Sequence, residues 1–323
     1  MTRNSCRSKQ LRKKKLKRQV TVEVIQRLTE QAPKVVLLLR RLIHLKQRTK
    51  TGLGLVLLMA IMGCTSQSPR ARFLMAEKLW QEQRYEAAVA EYDKVQQKEG
   101  PSDLGIQALL RSAQTETLFL NHHLSAIRRL NRLLEMKSGT PIAKDADKLI
   151  GEILFQRLEA YDQAITQYTR MIEKDERDPD RPEYFYRVGK SQYYLTRFNE
   201  AAQTYEALIR LFPSSRWAEK SQYDLGLTWS ALAGQRQVRG ESASEAWKTA
   251  IMEFEQFKKT YGQSPLITHV EFDIASCYEE LEQLTEAEEI LSRIKFSDPR
   301  EQALVDQKLN RIKSRKTQKN LKE

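Results

Sequence analysis

Three cysteines and four histidines are the residues of this 323-residue chain best suited to covalent or metal chemistry, and one of them stands in a setting built for it. Cys64 closes an apolar run over residues 53–62 plus Gly63; Lys46, Arg48 and Lys50 precede the run, and no charge falls between Thr51 and Pro69. A cationic stretch, an apolar core of about ten residues and a small residue before the cut make a secretory signal. The core is too short to cross a bilayer, which takes roughly 20 apolar residues. The chemistry placed at this thiol is therefore export and cleavage beside it. The other candidates are isolated. Cys6 lies in the part that cleavage discards, and Cys277 sits in a helical pattern as a small core residue, so no internal disulfide remains.

The other constellations that carry chemistry are missing from the sequence. Of His44, His122, His123 and His269, only the adjacent pair falls together, in an inter-helix turn, and no Cys/His/Asp cluster completes a metal site. There is no Gly-rich phosphate loop, Gly-x-Ser-x-Gly elbow or His-Glu-x-x-His pair. Residues 173–180 are acidic but lack the spacing and glycine of a calcium loop, and read as a solvated connection. No catalytic residue, metal or cofactor is expected; an enzyme would require groups converging from distant parts of the chain.

Charge divides the chain in two. Residues 1–50 hold sixteen Lys/Arg against Glu23 and Glu30, while the whole chain is only +13, so everything beyond residue 50 is close to neutral. The basic character that would suggest a nucleic-acid partner belongs to a segment the mature protein lacks. Residues 1–45 read as a basic, disordered extension or as the product of a start codon set too far upstream. The alternative is a cytoplasmic arm before an uncleaved anchor, binding nucleic acid or anionic lipid with strong salt dependence. The expected organisation is thus extension 1–45, signal 46–63, tether 64–70, helical array 71–297, and capping helix with basic tail 298–323.

Beyond the tether, apolar residues recur at three and four, as on amphipathic helices. Alanines mark a repeat: Ala88, Ala126, Ala164 and Ala201 are 38, 38 and 37 apart. Ala250 follows Ala201 by 49 and precedes Ala287 by 37, so the fifth unit carries about twelve extra residues, between Ala233 and Ala246. Four residues past each alanine stands Tyr92, Leu130, Tyr168, Tyr205, Phe254 or Leu291, on the same helix face. Twelve residues upstream, Ala76, Gly189 and Ala275 are small, and Gly189 is expected to sit against Ala201; the second and third units show Gln114 and Glu152 at that place. Small residues let antiparallel helices approach, with bulky ones filling around them. Thr140-Pro141, Ser264-Pro265 and Asp298-Pro299 read as helix N-caps followed by proline, and Asp298 with Glu301 has capping-box spacing. A last helix carrying Leu304, Lys308, Leu309 and Ile312 is expected to cap the array, with a solvated basic end.

These patterns carry two resemblances. The segment ending in Gly63-Cys64 resembles a bacterial lipoprotein signal, apart from Met62, where the family has a smaller or short β-branched residue. The resemblance implies that Cys64 is lipidated on sulfur and becomes the mature N-terminus, and Thr65 after it implies sorting to the outer membrane. The repeat resembles the tetratricopeptide repeat, six units over about 71–296, which implies a right-handed all-α solenoid. Within it, the stretch 198–226, with Phe212-Pro-Ser-Ser215, Ala218 and Tyr223-Asp-Leu-Gly226, resembles repeats of envelope lipoproteins: the D-type (BamD-like) family of the outer-membrane assembly machinery and the Tol-Pal-associated repeat proteins. This second resemblance implies a non-catalytic, lipid-anchored, periplasm-facing scaffold that binds other envelope proteins and, in its mature form, no nucleic acid. A cell-division or cell-wall coordinator is the other reading. The partner-binding groove is expected along the first helix of each unit: Tyr186, Lys190, Tyr193 and Tyr194, then Tyr223, with Phe73, Trp80 and Phe272 elsewhere.

Overall fold

The computed structural model describes residues 68–320; the expected extension, signal, lipidation site Cys64 and most of the tether lie outside the described residues. Among the described residues all regular structure is helical. The elements are α1 (Pro69–Gln81), α2 (Tyr85–Glu99), α3 (Asp103–Thr115), α4 (His123–Met136), α5 (Pro141–Glu152), α6 (Tyr161–Lys174), α7 (Arg181–Tyr194), α8 (Phe198–Leu211), α9 (Arg216–Val238), α10 (Ser244–Thr260), α11 (Ile267–Glu280), α12 (Leu284–Arg293) and α13 (Pro299–Asn320). Consecutive pairs form six hairpins, each packed on the next, and α13 lies against the last. Serine and threonine side chains start several helices: Ser68, Ser102, Thr140 and Ser215 each accept a backbone N–H from three residues on.

Three of the hairpins close where a glycine meets a ring. A Cβ placed on Gly151 would stand 2.7 Å from Tyr168 Cε1, one on Gly189 2.7 Å from Tyr205 Cε1, and one on Gly226 2.4 Å from Phe254 Cε1. The neighbour that closes on Gly189 is thus Tyr205, one turn beyond Ala201, which is fully buried in the same cluster. Ala76, Ala113 and Ala275, all without solvent exposure, hold the same place in the other units.

The second and third units correct the expected register. Their first helices continue into π-helical turns, Glu116–Leu120 and Ile153–Arg157, which wind one extra residue into the helix. The small residues are therefore Ala113 and Gly151, thirteen residues before their alanines, not Gln114 and Glu152. The fifth unit takes up most of its extra residues by lengthening α9 to 23 residues, beyond the fully buried Ala233.

Three end signals also resolve differently. Ser264 and Pro265 form a turn rather than a cap: the Ser264 hydroxyl accepts from the Leu266 N–H, donates to Glu219 at 2.6 Å, and the helix begins at Ile267. Asp298 accepts the Arg300 N–H at 2.8 Å, but Glu301 turns away to His269 at 3.3 Å. In α13 the buried residues are Val305 and Ile312, with Leu309 partly buried, whereas Leu304 is 56% exposed. The basic end of this helix is not simply solvated. Lys308, Arg311 and Arg315 converge on Glu279, whose side chain is 2% exposed. Burial works to raise the Glu279 carboxyl, yet the Arg311 and Lys308 bonds hold it below its ordinary range.

One backbone feature repeats with the units. Gln83, Asn121, Glu159, Thr196 and Glu282, each five residues before its alanine, have φ between 50° and 61°. This is the left-handed region, least tolerable for a β-branched residue. Thr196 is exposed, with φ 58°. Thr196→Gly is therefore expected to stabilise the fold by about 0.5–1 kcal/mol, the relief of strain exceeding glycine's entropic cost, as a rise in the urea midpoint at unchanged slope.

Candidate functional site

Helices α7 and α9 carry the five residues expected to meet a partner, and the structure gives them different surroundings. Tyr186 is half-buried, its ring 4.8 Å from Trp217 and 6.1 Å from Tyr205. Lys190 crosses to the next unit and donates to both oxygens of Asp224 at 3.0 Å, with its ammonium 5.4 Å from the Tyr193 ring and 5.8 Å from that of Tyr194. Tyr193 packs edge-on against Phe198 at 5.5 Å. Tyr194 is 47% exposed and leans on Tyr161 at 4.8 Å, next to Phe155. Tyr223 points onward instead, its hydroxyl donating to Asp273 at 2.9 Å. Tyr186, Lys190, Tyr193 and Tyr194 thus form one continuous surface, while Tyr223 is a strut between the fifth and sixth units. Phe73, Trp80 and Phe272 are likewise engaged, against Tyr92 (5.4 Å), Phe119 (5.7 Å) and Phe296 (6.4 Å).

Burial keeps Tyr186, Tyr193 and Tyr223 as neutral donors. Burial first, then the Asp224 carboxylate, pushes the Tyr186 hydroxyl far above its ordinary range. Burial raises Tyr193 as well, against the opposing pull of Lys190, and raises Tyr223 with help from Asp273. What they offer is aromatic area and O–H groups rather than phenolates. Cys277 is a core residue as expected, its thiol buried beside Ser230 and pushed up to about 12 by that burial. Among the described residues no cluster of three or more His, Cys, Asp or Glu side chains gathers into a metal site.

Sequence reasoning missed the centre of this surface. Trp217, at the start of α9, has Arg216 and Lys220 each 4.9 Å from its ring and Arg187 at 5.8 Å. Arg187 also stands 5.0 Å from the Phe155 ring, which ties the third unit to the fifth. The available signal was Arg216-Trp217 with Lys220 one turn on. The acidic connection 173–180 was also underread: Asp178, with its side chain 7% exposed, takes Lys144 at 2.7 Å and the Tyr184 hydroxyl at 3.2 Å, and Asp180 takes Lys148 at 3.2 Å.

Ion pairs of this kind fasten one unit's first helix to the next. Arg111 grips Glu77 through two bonds of 2.8 and 2.7 Å, and Lys144–Asp178 and Lys190–Asp224 repeat the offset of 34 residues. Arg311 on Glu279, at 2.9 and 2.7 Å, ends the series. Forked guanidinium–carboxylate bonds fix orientation as well as distance.

The stacked hairpins, their small-residue contacts and this shared face define a tetratricopeptide-type α-solenoid. Residues 118–182 and 183–215 match models of the tetratricopeptide repeat. Among solved structures, the chain is similar to the C-terminal part of a TPR repeat-containing protein from Cytophaga hutchinsonii, at 19% identity and TM-score 0.50, over 69% of this chain and 77% of that one. YrrB, described as a TPR protein with an unusual peptide-binding site, aligns at 16% identity and TM-score 0.44, over 65% of this chain and 95% of its own. PilW, described as a type IV pilus biogenesis factor, aligns at 14% identity and TM-score 0.40, over 71% and 93%. No curated protein matches the chain by sequence.

The Tyr223–Asp273 strut has a pH signature. Burial lifts the Asp273 carboxyl to about 6, against the Tyr223 bond and the charges of His269 and Lys308, which act to lower it. A carboxyl raised above its unfolded value binds protons more readily in the folded state, so its ionisation destabilises the fold as pH rises from about 4 through 6. Asp273→Asn keeps an acceptor for Tyr223 and is expected to raise stability at pH 7.5 by about 1–2 kcal/mol. It is also expected to flatten the pH dependence between about 4 and 6. Thermal unfolding of both proteins across that range checks the sign.

Proposed function

We propose that this protein is a non-catalytic, lipid-anchored scaffold of the bacterial envelope, held on the outer membrane and facing the periplasm. The observation that carries the reading is Cys64 behind its apolar core, with Lys46, Arg48 and Lys50 in front and a near-neutral helical array behind. Acyl chains on Cys64 contribute about 0.8 kcal/mol per buried methylene, and two or more make anchoring stable. Confinement at the membrane then raises the effective concentration of a protein partner met by the solenoid. The surface suited to that partner is the aromatic and cationic face of Tyr186, Lys190, Tyr193, Tyr194 and Trp217, whose rings and hydroxyls fit a peptide segment or helix. The likeness of residues 198–226 to envelope lipoprotein repeats makes outer-membrane protein assembly the process it would serve.

The decisive experiment is the intact mass of the protein recovered from bacterial membranes. The expected species begins at Cys64 and carries acyl mass, and Cys64→Ser removes both the acyl mass and the membrane fraction. A chain that begins upstream of Lys46 without acyl mass would contradict the reading and favour the basic arm as a cytoplasmic element.

A further inference from the structure

Among the described residues, two clefts on the array differ in whether their charges are already satisfied. One, of about 390 Å³, is lined by Thr140, Lys144, Asp147, Lys174 and Asp178. Its cations are spoken for, Lys144 by Asp178 at 2.7 Å and Lys174 by Asp147 at 3.0 Å. The other, of about 310 Å³, lies between α2 and α4, away from the aromatic face of α7 and α9, and is lined by Asp93, Gln96, Ser125, Arg128, Arg129 and Arg132. Here Arg129 is shared by Asp93 and by Glu116 at 2.9 Å, so one guanidinium faces two carboxylates. Arg128 and Arg132 have no carboxylate partner among the described residues, and their spacing of four sets both on one face of α4. Opposite them, Gln96 is 4% exposed, and its amide Nε2 has no hydrogen-bond partner. A buried donor left unpaired is uncommon in a folded protein and marks a place where an acceptor belongs.

We propose that this cleft binds a phosphomonoester. Three guanidinium groups against two carboxylates leave the cleft with a net positive charge, and the two guanidinium forks without a carboxylate partner, with one buried amide donor, call for an anion with at least three acceptor atoms. A phosphomonoester supplies three acceptor oxygens and negative charge, where a single carboxylate supplies two oxygens. Guanidinium forks match phosphate oxygens in pairs. The phosphate can reach the cleft on a soluble ligand or on a lipid headgroup, and the test separates the two.

Glycerol 3-phosphate is titrated into the full chain by calorimetry, with succinate as a dianion lacking the phosphate geometry. Arg128→Gln with Arg132→Gln is expected to weaken glycerol 3-phosphate binding by about tenfold or more. Both side chains are exposed, so the unliganded thermal midpoint should stay unchanged within error. Gln96→Met, which removes the donor at similar volume, is expected to weaken binding severalfold while leaving the protein folded. Succinate is expected to bind about tenfold more weakly than glycerol 3-phosphate. Flotation on phosphatidylcholine vesicles with and without phosphatidic acid then assigns the source. Loss of phosphatidic-acid-dependent flotation in the double variant identifies a headgroup. Retained flotation together with lost glycerol 3-phosphate binding identifies a soluble ligand. Equal affinity of parent and double variant for glycerol 3-phosphate, or equal affinity of the parent for succinate, overturns the proposal.

Discussion

Three hairpins of this solenoid, those of the third, fourth and fifth units, depend on a ring seated where a side chain would otherwise stand. Tyr168, Tyr205 and Phe254 occupy the space of the missing side chains of Gly151, Gly189 and Gly226. The contact sets the separation of the two helices, and that separation sets where the outer face of the first helix presents Tyr186, Lys190 and Tyr193. Close-packed interiors tolerate little volume change at such points. Where the small residue is alanine in place of glycine, the opposing group is Tyr92, Leu130 or Leu291, all buried. Binding geometry and stability thus share one determinant, and a unit that loosened here would displace the groups on its outer face.

A second constraint runs along the array. The Arg111–Glu77 and Lys190–Asp224 pairs each join a first helix to the first helix one unit away, and Lys144–Asp178 joins a first helix to the connection that leads into the next one. Cations outside these pairs stand around Trp217, where Arg216 and Lys220 lie against the ring. The face is therefore polar but locally positive, with its aromatic area concentrated in the fourth and fifth units. A partner that reads it would be selected by aromatic contact and by negative charge near α9.

Much of the fold was legible in the sequence because it rests on periodicity. Ala88, Ala126, Ala164, Ala201, Ala250 and Ala287 are all buried, as their spacing and the bulky residues four positions on required. What was not legible came from local changes of winding and from pairing across units. One residue wound into a π-helical turn displaced the small position to Ala113 and Gly151, a shift that 3.6-residue periodicity has no means to signal. Ser264-Pro265 looked like a cap because its chemistry is that of a cap, yet Glu219 from another unit claims the hydroxyl. The site was half legible. Tyr186, Lys190 and Tyr193 share a helix face by spacing alone, whereas Asp224 as partner of Lys190, Asp273 as partner of Tyr223, and Trp217 as centre of the cationic cluster depend on how one unit is set on the next.

The claim that a ring in the place of a side chain governs the array is tested most directly by a double-mutant cycle on Gly189 and Tyr205. Gly189→Ala alone places a methyl group 2.7 Å from the Tyr205 ring and is expected to cost about 1–3 kcal/mol. Tyr205→Leu alone removes the ring and is expected to destabilise as well. Combined, the two should be less damaging than the sum of the single changes, with a coupling of about 1 kcal/mol or more, because the added methyl then meets leucine. Additive costs in urea unfolding would show that Gly189 is small for some other reason and would contradict the account.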